Sequence, residues 1–234
     1  MSFVKDMLSM FNKKELSFLK SYKESEDYYT FLFEKEKDIT WNAGQYGLFT
    51  ITHKKIKNNT RPFSVASVPQ ENTIQITTKI SDQPSEFKKA MLELTKGTKI
   101  TMAGPVGAFY LREEHPTVLI AGGIGITPPF RSIVKQLEAE KKEIPVHLLY
   151  LDSNKTYIFK DELDRIASNT SIGLTYLDSS NHLQQALDKS ISTYKNNAKY
   201  YIAGPKSMVE DTSTYLRDNE ISKRNIKKDV LIGY

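Results

Sequence analysis

Arg61-Pro62-Phe63-Ser64 gathers a cation, a flat ring and a hydroxyl within four residues, at the head of a run continuing Val65-Ala66-Ser67. The arginine offers a planar fork of donors suited to pyrophosphate oxygens. Pro62 fixes the backbone, so its neighbours point in set directions. Phe63 offers a face for stacking on a flat heterocycle, and Ser64 a hydroxyl for a ring nitrogen. An ordinary strand with one exposed arginine and one core phenylalanine has the same four residues. Farther along, Gly122-Gly123-Ile124-Gly125-Ile126-Thr127-Pro128 closes the apolar run from Thr117 to Ala121. Its glycines allow a backbone to approach a ligand closely, and Thr127 can cap a helix that Pro128 begins. This spacing is not the one-three-six dinucleotide fingerprint, and a plain strand–helix turn is the alternative. A chain that binds two phosphate-bearing ligands is built to pass something between them.

The elements that must position these motifs change character midway. Glu15–Glu24, Tyr28–Glu34, Tyr46–His53, Pro62–Val68, Thr73–Ile80 and Lys99–Ala103 read as strands, rich in Tyr, Phe, Thr, Ile and Val. One helix interrupts them, capped by Ser85, with Phe87, Ala90, Met91 and Leu94 at helical spacing and Gly97 as its stop. Short strands of this kind predict a closed antiparallel β-barrel. From Thr117 onward the strands Thr117–Ala121, Val146–Leu151, Gly173–Leu177 and Lys199–Ala203 alternate with helices. The first of these helices, from Pro128, carries Phe130, Ile133, Val134 and Leu137 on one stripe. Such alternation predicts a parallel sheet with right-handed crossovers. The boundary is expected in the charged stretch Arg112–Pro116, giving domains 1–111 and 112–234.

At 234 residues, 39% hydrophobic and 26% charged, the chain has material for two packed cores. It has no cysteine, so thiolate-held iron–sulfur clusters and catalytic thiols are excluded from this chain. His53, His115, His147 and His182 are scattered, and no metal site is expected. No apolar run approaches the ~20 residues of a bilayer span. Lys5 and Asp6 break any signal-like leader, so the expected compartment is the cytoplasm. Phe3, Val4, Met7, Leu8 and Phe11 share one helical stripe, read as a short helix packed on its own domain or as a docking or membrane-surface helix. The net charge is +5, with clusters at Lys54, Lys55, Lys57 and at Lys223, Arg224, Lys227, Lys228. An ordinary solvated face accounts for them; an acidic protein partner is the alternative, and nucleic acid is not expected without interleaved aromatics.

Taken in order, these segments resemble the ferredoxin–NADP reductase-like flavoprotein superfamily over roughly residues 14–234. Arg61-Pro62-Phe63-Ser64 resembles its Arg-x-Tyr/Phe-Ser flavin motif, and Gly44-Gln45-Tyr46 its Gly-Gln turn. Ser85 resembles the serine at the pyrophosphate-binding helix, although Asp82 stands where relatives carry glycine. Gly104-Pro105-Val106-Gly107-Ala108-Phe109 resembles the segment that closes the flavin domain. Gly122 to Pro128 resembles the nicotinamide-dinucleotide turn. Ala203-Gly204-Pro205, followed by Met208, resembles the second nucleotide segment, with Ala203 in place of the common cysteine.

The resemblance implies FAD held by Arg61, Pro62, Phe63, Ser64, Thr78, Lys79, Pro84 and Ser85. It implies NADPH or NADH held by Gly122, Gly123, Gly125, Thr127, Pro128, Lys155, Gly204, Pro205 and Met208. Ser64 is expected to orient flavin N5, and Tyr234 to cover the flavin until nicotinamide enters. The implied activity is hydride transfer from NAD(P)H to FAD, with electrons passed to a separate protein or small-molecule acceptor. A flavin-bearing electron-transfer subunit or redox sensor, and a free-flavin or ferric reductase, are the alternatives. Asp152, Ser153, Asn154 and Lys155 follow the second strand of the α/β domain and offer a carboxylate for a ribose hydroxyl and a cation for a 2′-phosphate. Lys155 falls about where relatives place an arginine, which tilts the expectation toward NADPH.

Overall fold

A computed structural model describes residues 13–111, 115–126 and 129–231. The apolar stripe from Phe3 to Phe11, the pair Thr127 and Pro128, and Tyr234 lie outside the described residues. The chain divides between Tyr110 and Leu111 into two compact units.

The first unit is antiparallel. Its strands are β1 (Lys13–Lys23), β2 (Tyr28–Glu34), β3 (Tyr46–Ile51), β4 (Thr60–Ser64), β5 (Thr73–Lys79) and β6 (Lys99–Val106), in the order β4-β3-β6-β1-β2-β5. Alternation turns Phe31 and Phe33, Phe49 and Ile51, Ile74 and Ile76, and Ile100 and Met102 inward as one core. The two edge strands meet through a short seam. The Ala66 N–H donates to the Gln75 carbonyl at 2.8 Å. The Gln75 N–H donates to Ser67 Oγ at 3.0 Å, and that hydroxyl donates to the Thr73 carbonyl at 2.8 Å. The sheet is thereby curled into a barrel.

The expected strand Pro62–Val68 is shorter than its apolar content suggests. Pairing with β3 ends at Ser64, and residues 65–68 stay buried while turning toward β5. The Trp41 indole N–H holds this turn by donating to the Ser67 carbonyl at 2.9 Å. Helix α1 (Glu86–Leu92) begins where Ser85 caps it and buries Phe87, Ala90 and Met91. Gln45 ties the turn before β3 to the end of the barrel. Its Oε1 accepts the Asn42 N–H at 2.9 Å, and its Nε2 donates to the Gly107 carbonyl at 3.2 Å.

The second unit is a five-stranded parallel sheet, ordered β11-β10-β7-β8-β9. The strands are β7 (Thr117–Gly122), β8 (Val146–Leu151), β9 (Gly173–Leu177), β10 (Lys199–Gly204) and β11 (Ile226–Val230). Helices α2 (Pro129–Glu140), α3 (Lys160–Asn169), α4 (Ser180–Tyr194) and α5 (Lys206–Asp218) connect them. Every residue of β7 is buried, as the centre of a doubly covered sheet requires. β11 was not expected, because its exposed Lys227 and Lys228 read as a solvated charge run. Lysines on an edge strand discourage pairing with a second chain.

Buried charge joins α2 to α3. Arg131 is 6% exposed, with Nε 2.7 Å from Glu162 Oε2 and Nη2 3.0 Å from Oε1. Lys135 Nζ lies 2.9 Å from the same carboxylate, and the Arg131 guanidinium covers the Phe159 ring at 5.0 Å. Bidentate pairing satisfies a charge that would otherwise be costly to bury. Among the described residues, no helix is long and apolar enough to cross a membrane.

Candidate functional site

In the first unit, Phe63 fastens β4 to α1. Its ring centroid lies 5.9 Å from Phe49, edge to face, and 5.7 Å from Phe87. At 6% exposure the ring is core. The expected open stacking face is thus corrected: Phe63 takes the inward position of β4, where α1 covers it. The contact nevertheless serves the site, since Arg61 precedes Phe63 by two residues and Ser85 precedes Phe87 by two. The Phe63–Phe87 contact ties the strand that carries Arg61 to the helix that Ser85 caps. Arg61 is half-buried and spends one guanidinium N–H on the Thr60 carbonyl at 3.0 Å. Its remaining donors keep the fork available to an anion.

Ser64 ends β4 at 8% exposure, and its hydroxyl has no protein partner among the described residues. Tyr46 stands directly across from Ser64 in the β3–β4 register, so both side chains share one face. The Tyr46 ring backs onto Gly107, 3.0 Å from where a Cβ would stand. Tyr46 therefore supplies, beside Ser64, the half-buried aromatic that Phe63 does not. Thr78 lies near the end of β5. It is fully buried on the inward parity of Ile74 and Ile76, leaving its main chain, not its hydroxyl, for any ligand.

Pro84 and Ser85 lead into α1, where Ser85 Oγ accepts the Lys88 N–H at 3.4 Å. Lys79 Nζ lies 3.5 Å from Asp27 and 5.9 Å above the Tyr28 ring. Lys88, half-buried in the first turn of α1, was missed. Burial, and then the Lys79 charge, hold its ammonium below the ordinary lysine range. A signal was available in the sequence, since a lysine in a helix's first turn opposes the helix dipole unless an anion sits there. Lys88 on the Ser85-capped turn, with Lys79 near enough to act on its charge, is a positive group beside the cap that suits a pyrophosphate.

In the second unit, the glycine turn and the Ala203-Gly204-Pro205 segment meet at the carboxyl ends of β7 and β10, the central pair of the sheet. Here successive crossovers leave in opposite directions, which is where open α/β sheets bind ligands. The approach is so close that a Cβ on Gly125 would stand 2.1 Å from the Ala203 carbonyl oxygen. A Cβ on Gly204, whose φ is +156°, would stand 3.0 Å from the Gly122 carbonyl oxygen. Two bare backbone turns thus form the cradle. Pro205 precedes α5, and the half-buried Met208 lies 3.2 Å from the Cβ position of Gly122.

Lys155 does not point freely into this cradle, since its Nζ is 3.1 Å from Asp178 Oδ2. Asp152, expected as a carboxylate for a ribose hydroxyl, stands at the turn, and Asp229 is a carboxylate the sequence did not single out. Asp152 follows β8 with one carboxylate oxygen 3.9 Å from the Cβ position of Gly123. Asp229 pairs in register with Ala203 at the end of β11, and burial pushes its carboxyl above the ordinary aspartate range.

Residues 119–214 match the family described as the oxidoreductase NAD-binding domain. The toluate 1,2-dioxygenase electron transfer component of Pseudomonas putida is 29% identical over 180 residues, covering 72% of this chain and 53% of that protein. This chain spans about half the length of the curated relatives it matches first. Among solved structures, a ferredoxin NADP+ reductase from Neisseria gonorrhoeae with bound FAD and NADP superposes with a TM-score of 0.76 at 20% identity, covering 93% of this chain and 98% of that one. The flavohem-like FAD/NAD-binding domain of a Vibrio cholerae nitric oxide dioxygenase superposes at 0.77 and 21% identity, with coverage of 93% and 98%.

Proposed function

We propose, from the premise that this chain has the ferredoxin–NADP reductase-like fold and carries an oxidoreductase NAD-binding domain, that it is an FAD-dependent NAD(P)H oxidoreductase. The observation that carries this reading is the paired-backbone cradle at the ends of β7 and β10, which leaves no room for a Cβ on Gly125. When bound, NAD(P)H and FAD supply the hydride and electron-transfer chemistry; the protein supplies position and electrostatics.

The residues divide that labour. Arg61, with Lys79 and Lys88, neutralises the flavin pyrophosphate at the Ser85 cap. Ser64 directs its unpartnered hydroxyl at ring N5, and Tyr46 supports the ring beside it. Gly122, Gly123, Gly125 and Gly204 let the dinucleotide lie against main chain, with Pro205 and Met208 setting the floor. Thr127 and Pro128 are assigned to the same turn, and Tyr234 to covering the flavin. Asp229, whose carboxyl burial shifts above the ordinary aspartate range, stands at the cradle's edge.

With no cysteine on this chain, electrons leave the flavin for an acceptor that this chain's thiolates do not provide. That acceptor is a separate protein or small molecule, and the cytoplasm, where reduced coenzyme is made, is the compartment this reading requires. The test is an anaerobic visible spectrum of the FAD-supplied protein before and after NADH or NADPH. Bleaching of the flavin bands supports the assignment. Bound flavin that neither coenzyme bleaches overturns the oxidoreductase reading in favour of a flavin-bearing subunit or sensor.

A further inference from the structure

Asp152 and Lys155 sit in one short loop after β8, yet their charges face opposite ways. The Asp152 N–H donates to the Leu177 carbonyl at 2.9 Å, and its Oδ1 accepts the N–H groups of Asn154 at 2.9 Å and Thr156 at 3.3 Å. This closed turn fixes the side chain. Its other oxygen, Oδ2, is directed at the glycine turn after β7, 3.9 Å from the Cβ position of Gly123. Lys155 reaches toward Asp178, which follows β9 on the far side of β8, with Nζ and Oδ2 3.1 Å apart. Asp178 Oδ1 also meets His182 Nδ1 at 2.6 Å.

We propose that this chain selects NADH over NADPH, with Asp152 as the residue that accepts a ribose hydroxyl at the cradle and turns away a 2′-phosphate. The inference rests on the NAD(P)H site assigned above and goes on to name the coenzyme. A carboxylate held by two backbone N–H groups accepts a hydrogen bond from a hydroxyl without moving. A 2′-phosphate at the same place brings negative charge against negative charge and has no hydrogen to offer. Lys155 does not offset this. Its Nζ stands 3.1 Å from Asp178 Oδ2. Direction is what counts: the cation lies across β8 from the glycine turn, and Asp178 cancels its charge. The tilt toward NADPH drawn from Lys155 is reversed by where its side chain goes.

Isothermal titration of the full chain with NAD+ and with NADP+ tests this without turnover. NAD+ is expected to bind at least about tenfold more tightly, the worth of one hydrogen bond to a charged group. Asp152→Asn is expected to narrow that ratio, weakening NAD+ and admitting NADP+. Asp178→Asn, which releases Lys155, is expected to raise NADP+ affinity. Equal or tighter binding of NADP+ by the unaltered chain overturns the selectivity while leaving the nicotinamide site intact. An unchanged ratio in Asp152→Asn overturns the role of Asp152. Failure of both nucleotides to bind overturns the NAD(P)H site itself, and this inference with it.

Discussion

Replacing Gly125 with alanine adds a single carbon where the chain has no space for it. The new Cβ would lie 2.1 Å from the Ala203 carbonyl oxygen, 2.6 Å from its carbon and 3.0 Å from Gly204 Cα. An ordinary C···O approach is about 3.3 Å. The ends of β7 and β10 must therefore part by about 1 Å, and all three neighbours are backbone, which cannot rotate away. Overpacking of this kind costs about 1–3 kcal/mol. For a domain of this size that is a fall of roughly 5–15 °C in melting temperature. Misplacement by about 1 Å in a binding turn can also cost roughly a hundredfold in function. Gly123→Ala is the comparison in the same turn. Its Cβ meets nothing nearer than Asp152 Oδ2 at 3.9 Å, and with φ at +50° its cost is backbone strain of about 1 kcal/mol. The assay is thermal denaturation of both variants followed by nicotinamide-dinucleotide titration. Gly125→Ala melting and binding like the unaltered protein would refute the close-packed cradle.

Phe63→Ala should cost the first unit about 3–5 kcal/mol in urea denaturation of the flavin-free protein, with Phe63→Leu recovering most of it; a stable Phe63→Ala variant with a shifted flavin band would restore the stacking role. Arg61→Ala should weaken FAD retention more than Ser64→Ala, because a charged hydrogen bond is worth about 1.5–3 kcal/mol against about 1 for a neutral one. Ser64→Ala should instead slow flavin reduction in stopped-flow, and an unchanged rate removes its assignment at N5. Burial holds the His147 ring below its ordinary pKa of 6.5, with Nε2 2.8 Å from Thr175 Oγ1. Below pH ~6.5 the unfolded chain takes up a proton that the folded one resists, so stability falls as pH drops through that value. His147→Gln should flatten this part of the pH–stability curve, and an unaltered slope would show that His147 does not set it.

Both sheets could be read from residue type and period, because Ile74 and Ile76 alternate with polar neighbours, β2 is rich in aromatics and β7 is a continuous apolar run. What escaped the sequence is what depends on partners. Whether Phe63 faces a ligand or the core is decided by α1, some twenty residues later, whose Phe87 covers the ring. β11 escaped because its stability comes from β10 beside it, while Lys227 and Lys228 carry the signature of a loop. Within the site, types and spacing pointed to phosphate-binding turns. The carboxylate of Asp152 was legible from its place after the second strand, whereas Asp229 became visible once β11 was aligned beside β10, since it belongs to no spaced motif. Lys155 shows the limit most sharply: its identity suggested a phosphate partner, and its direction does not.

The sheet order also sets a timetable for synthesis. Of the second unit's strands, β7, β8 and β9 leave the ribosome first, yet β10 must come back to lie along the far edge of β7. Between Leu177 and Gly204 the ribosome adds α4 and then β10, an interval of roughly 1–5 s at about 5–20 residues per second. Until then one side of Thr117–Gly122, buried throughout in the finished protein, is an unpaired hydrophobic edge. The strand that completes the coenzyme cradle is thus the strand that ends the nascent chain's exposure to aggregation. Slow codons within α4 would lengthen that exposure without changing a single residue of the folded protein.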